Sequence, residues 1–176
     1  MIYKILVTCL MFVFGMNLTA QENPPPIEEL LLNYLTGYCD EGEENTFIGF
    51  IRKNAEVVEP LLVNFVQNGV PETLVDSLKI NSVKQYRERQ KLVSRGLNFG
   101  LSKADLDSVK NEPQEDFTNR MVRELRDGFM SQAIFGLSLI DSEEAQALIK
   151  KIAADENNPY QRSAQNAVNQ TYLKRK

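Results

Sequence analysis

Apolar positions recur along this chain at the spacing of one helix face, most cleanly near its C-terminal end. Ala145, Leu148, Ile149, Ile152 and Ala153 stand at i, i+3, i+4, i+7 and i+8, which places them on one side of an α-helix. Val58, Leu61, Leu62, Phe65 and Val66 repeat that spacing. A first helix is predicted over 27–38, with Leu30, Leu31, Tyr34 and Leu35 on one face, Glu28 and Glu29 in its first turn, and Gly37 as a stop. Phe47, Ile48, Phe50 and Ile51 predict a short apolar helix over 46–52 that plugs one end of the core. No period-two run with turn residues on both sides occurs outside the first twenty positions, so the expected class is all-α.

Polar and turn residues divide these faces. Asn54 is the expected cap of the helix carrying Val58, which ends at Asn68-Gly69 and admits Pro60 in its first turns. Pro71 opens the next helix through Leu74, Val75 and Leu78, with a break expected at Asn81-Ser82 before a strongly charged helix over 83–97. Tyr86, Leu92, Val93 and Leu97 are the apolar contacts of that helix. Residues 98–115 are the least regular stretch, where Ser102 and Asp105 could cap a short helix that Pro113 ends. Phe117, Met121, Val122 and Leu125 then form a helix with Gly128 as its turn. Asp141 with Glu144 has the spacing of a capping box, and Asn158, Pro159 and Gln161 open the last helix.

Two consecutive helix-turn-helix units are thus expected between Phe117 and Leu173. Ala133, Gly136 and Leu137 in the first match Ala164, Ala167 and Val168 in the second at a constant offset of 31. Small residues three apart let helices approach closely. This pattern resembles the HEAT-type α-solenoid repeat, over about 117–173. The resemblance implies an irregular α-solenoid of antiparallel helix pairs and protein-protein contact through helix faces; it carries no functional residues. A non-repetitive helical bundle is the alternative arrangement. The amides of the last helix, Gln161, Gln165, Asn166, Asn169 and Gln170, suit the polar outer face of a terminal repeat. Lys174, Arg175 and Lys176 complement the negative end of that helix.

The first twenty residues fall outside the helical pattern. Lys4, an apolar run over 5–16 and the small Ala20 before Gln21-Glu22-Asn23 predict a cleaved signal peptide, cut after Ala20. The run is too short to span a bilayer comfortably, so no stable membrane insertion is expected after cleavage. This reading gives a signal at 1–20, an extended proline-rich segment at 21–26 and one helical domain at 27–176, secreted or periplasmic in a bacterial envelope. Loss of Lys4 moves the net charge from -4 to -5. A mildly acidic body lacks the concentrated basic surface that general nucleic-acid binding requires. Cys9 leaves with the signal, so Cys39 cannot form an intramolecular disulfide.

The composition narrows the chemistry further. With no histidine, Ser-His-Asp and Cys-His catalysis and His-ligated zinc are unavailable. No glycine-rich phosphate loop occurs, and no convergent pair of acids stands out. Catalytic residues, metal ligands and cofactors are therefore not assigned. The acidic run Asp40-Glu41-Gly42-Glu43-Glu44 lacks the alternation of a calcium loop and is expected to be solvated; beside it, the Cys39 thiolate is disfavoured.

One surface stands apart. Lys84, Arg87, Lys91 and Arg95 fall at i, i+3, i+7 and i+11, along one stripe, with Glu88 beside them and Arg89 to the side. In an acidic protein such a stripe suits an acidic partner or an anionic surface; its plain alternative is a solvated face whose long stems cover apolar neighbours. Arg120, Arg123 and Arg126 form a shorter basic edge. The expected function is a non-catalytic protein-protein interaction module, with another protein as partner. A carrier of a small ligand or lipid, with a pocket lined by Phe47, Phe50, Phe65 and Val66, is one alternative. An inhibitor or immunity-type protein acting through the loops at 40–44 or 98–115 is another.

Overall fold

A computed structural model describes residues 26–37, 43–96 and 102–174, with all their side chains except those at 43–45, 105 and 170–174. The described residues form helices α1 (Ile27–Thr36), α2 (Glu43–Lys53), α3 (Ala55–Asn68) and α4 (Glu72–Ser94). These are followed by α5 (Lys103–Asn111), α6 (Gln114–Ser138), α7 (Glu143–Ala154) and α8 (Gln161–Lys174). The chain is all-helical among these residues, as its periodicity predicts. The expected signal peptide, Cys39, Asp40–Gly42 and Leu97 lie outside the described residues.

Helix α6 organises the rest: α1, α3, α4, α7 and α8 all pack against it. Its own sequence explains why. Phe129, Ala133, Ile134 and Leu137 are fully buried and Met130 nearly so, spaced to present one broad apolar side. Opposite them, Leu31 of α1, Ile51 of α2 and Val58 and Leu62 of α3 are fully enclosed. Removing a side chain of this size from water contributes about 1.5–3 kcal/mol. Gly136 is the point of closest approach: a β-carbon there would stand 3.1 Å from Leu62 Cδ1 and 3.4 Å from Phe47 Cζ. The small-residue pattern thus makes room for α3 and α2. The apolar faces built on Val58 and Ala145 both point inward, with Leu61, Leu148 and Ala153 at the edge of the core.

Several boundaries differ from expectation. Gly128 makes no turn; α6 runs straight through it and is 25 residues long in all. A glycine inside a helix costs about 1 kcal/mol relative to alanine, and burial of Phe129 and Met130 immediately beyond outweighs that cost. The break expected at Asn81-Ser82 is also absent. Ser82 is fully buried, but its hydroxyl bonds the Lys79 carbonyl at 2.8 Å and lies 3.0 Å from Thr118 Oγ1, so α4 runs on. Asp141 does not cap α7. Ser142 does, accepting from the Ala145 amide at 3.1 Å while its hydroxyl donates to Glu59 of α3. Asn54 stands at the N-cap position of α3 as expected, but its side-chain amide donates to the Phe50 carbonyl at 2.8 Å and makes no cap hydrogen bond. Asn158 accepts from Tyr160 N at 2.9 Å, and α8 begins after that turn.

Other stops follow the sequence. Gly37 ends α1, where a β-carbon would meet the Asn33 carbonyl oxygen at 2.8 Å. Gly69 ends α3 at φ +84°, a conformation other residues rarely adopt. Pro113 stands between α5 and α6.

Candidate protein-interaction face

Helix α4 has two opposed sides. Val75 and Ser82 are fully buried, and Tyr86 and Arg89 partly so, on the side packed against α6. Lys84, Arg87, Lys91 and Arg95 lie on the other side, and all four are exposed. The structure therefore brings the four sequence-predicted residues onto one solvent-facing ridge, roughly 16 Å long at 1.5 Å per helical residue. None of the four takes part in an ion pair among the described residues. Arg95 closes the ridge as the residue after the last helical turn.

The shorter basic edge is different. Arg120 is paired with Glu112 and Glu124, at 3.1 and 3.0 Å, and Arg126 lies 3.6 Å from Glu72. Arg123 is exposed. Most of that edge is already neutralised by the protein's own carboxylates.

Behind the ridge, α4 is anchored by a polar cluster spanning three helices. Arg89 Nη2 meets Glu112 Oε2 at 2.6 Å, and Arg120 Nε meets Glu112 Oε1 at 3.1 Å. Tyr86 donates its hydroxyl to the Glu112 carbonyl at 2.9 Å, and Gln90 Nε2 donates to the Val109 carbonyl at 3.1 Å. The Arg89 guanidinium stacks 4.4 Å from the Phe117 ring centroid, and that of Arg120 lies 5.2 Å from it. Arg89 Nε is buried without a hydrogen-bond partner among the described residues, a cost that the ring face partly offsets. The hydrogen bond from Arg120, opposed by burial and reinforced by Arg89, holds the Glu112 carboxyl below its usual value. The hydrogen bond to Glu112 likewise raises Arg120.

This cluster lines an open recess of about 570 Å³ that also includes Ser108, Asn111 and Asp116. Its two guanidiniums already share Glu112, so the arrangement fastens helices together. A smaller recess of about 230 Å³ lies between Val66, Met130, Ile152 and Tyr160. Burial, then the Asp127 charge, raises the Tyr160 phenol above its usual value, so it stays neutral at physiological pH. Among the described residues no group of three or more His, Cys, Asp or Glu could hold a metal ion.

The pocket residues expected of a carrier are spread through the core. Phe65 meets Phe129 edge-on at 5.3 Å, while Phe47 and Phe50 both meet Tyr34, at 5.5 and 5.0 Å. Val66 alone of the four lines the smaller recess. Residues 103–111, within the loop expected of an inhibitor, form α5 and are tied to α4 through Val109.

Two features escaped the sequence reading. The Arg89–Glu112 pair joins residues 23 apart through a fold that periodicity cannot supply. Ile80, 74% exposed, was readable: it stands four residues before Lys84, at the head of the ridge. No protein-family model, curated protein or solved structure matches this chain.

Proposed function

We propose that this protein is a non-catalytic protein-protein interaction module whose binding face is the ridge of Lys84, Arg87, Lys91 and Arg95. The observation that carries the reading is that all four cations are exposed and unpaired among the described residues. Meanwhile α4 is fixed from behind by Ser82, Tyr86 and Arg89. Fixing the α4 backbone spares part of the ordering cost of binding, which then falls on the four long side chains alone. Burial of Ala164 and Ala167 on α8 supports reading the α7–α8 pair as HEAT-like. The central position of α6 favours a bundle-like arrangement for the rest. The amino-terminal segment assigns the protein to the periplasm or exterior of a bacterial cell, with the signal removed after Ala20.

Affinity capture from envelope extract tests this, using residues 21–176 as wild type and as the variant with Lys84, Arg87, Lys91 and Arg95 all changed to Glu. A protein retained by the wild type and lost from the helical variant upholds the reading. A small molecule co-purifying in place of any protein replaces it with the carrier reading.

A further inference from the structure

Among the described residues, Ile80 is the more exposed of two large apolar side chains that stand out at the surface, 74% against 51% for Val57. Ile80, Lys84, Arg87 and Lys91 follow one another at steps of four, three and four residues. That spacing keeps them on a single line of the helix surface, directly opposite Ser82, Tyr86 and Arg89. The ridge is therefore mixed: an apolar head followed by cations.

We infer that this ridge receives an acidic amphipathic helix of another protein, with carboxylates against Lys84, Arg87, Lys91 and Arg95 and an apolar residue covering Ile80. The inference rests on the interaction-module reading and names its partner class. Charge complementarity selects an acidic ligand, and the surroundings of the ridge select a narrow one. Glu88 lies exposed beside the stripe in a chain of net charge -4, while Asp76, which flanks Ile80, is paired with Lys79 at 3.2 Å. A flat anionic bilayer would meet Glu88 as well as the cations, and only a few lysines and arginines would favour it. A single helix touches the stripe alone. Nucleic acid is disfavoured because Tyr86, the aromatic residue of α4, faces inward to Phe117 at 5.7 Å and offers no stacking platform.

Photo-crosslinking of the full chain in the source cells tests this. A benzophenone amino acid replaces Ile80, Arg87 or, as a control on α7, the exposed Lys150, and each adduct is identified by mass spectrometry. Far-UV circular dichroism checks helicity of every variant. The expected result is a protein adduct at positions 80 and 87 at least tenfold above that at 150. It should map to a segment with acids at helical spacing and an apolar residue one turn away. Adding Lys84→Glu, Lys91→Glu and Arg95→Glu should cut it at least tenfold. An adduct at 80 or 87 to a peptide without acids overturns the inference and leaves the module reading standing. A protein adduct at position 150 alone overturns the inference and also the ridge as the binding face of the module. Lipid or nucleotide adducts at position 80 overturn the inference in favour of those ligands. No protein adduct at any position overturns both readings.

Discussion

Where α6 passes α3, the contact is wholly apolar: Phe129 and Ile134 are fully buried and Leu62 closes on Gly136. Where α6 begins, against α4 and the end of α5, it is held by charge. Arg120 and Arg89 share Glu112 over the face of Phe117. The two regions fail differently. Apolar packing is non-directional and barely sensitive to pH, and its loss should weaken the whole domain. The polar cluster depends on one carboxylate, and its loss should be felt mainly where α5 meets α4.

The sharpest way to break the comparison is Phe129→Ala. It leaves a cavity at the centre of the core and should cost about 3–5 kcal/mol, read as a lower denaturant midpoint with every helix affected together. Glu112→Gln should cost less, about 1–3 kcal/mol, because Arg89 and Arg120 are left facing a neutral partner in a partly solvated cleft. Hydrogen exchange should then rise in α5 first and leave the amides around Leu62 protected. Uniform loss of protection would show that the two regions are one cooperative unit.

Acid sharpens the same contrast. Glu112 has its folded value held below the ordinary 4.5. Its contribution is therefore fully present above that ordinary value and lost as pH falls through the folded one. Thermal midpoints of wild type and Glu112→Gln should accordingly converge as the solution is acidified below about pH 4.5. A constant gap would mean that Glu112 acts by shape and not by charge.

Smaller effects follow. Ser142→Ala removes the cap of α7 and its bond to Glu59, a loss of about 1 kcal/mol visible as a lower melting temperature. Smallest of all on stability are Lys84→Glu, Arg87→Glu, Lys91→Glu and Arg95→Glu. They stand in water without ion-pair partners among the described residues; Lys84→Glu and Arg87→Glu should each change stability by no more than about 0.5 kcal/mol, and Lys91→Glu and Arg95→Glu, at the C-terminal end of α4, by up to about 1 kcal/mol through the helix dipole. A large destabilisation there would show that the ridge has a structural role.

Much of the fold is legible in the chain because helix periodicity is a local property. Val58 through Val66 and Ala145 through Ala153 point inward as their spacing requires. The four cations share a face for the same reason. The errors cluster where a residue with a strong local preference sits against a packed neighbour. Gly128 and Ser82 both read as interruptions, yet Phe129 and Thr118 carry the helices through them. Asp141 reads as the cap of α7, yet the next residue, Ser142, takes that place while bonded to Glu59, 83 residues away.

The sequence by itself determined the helical class, the apolar faces, the stops at Gly37 and Gly69 and the cationic line on α4. Each depends on residues within a few turns of one another, where backbone geometry fixes the neighbours. Only the tertiary structure decided that α6 lies at the centre, that Glu112 joins Arg89 to Arg120, and that Arg120 is neutralised while the Lys84 ridge stays open to solvent. Those outcomes depend on which helices meet, and that is set by burial summed over the whole chain.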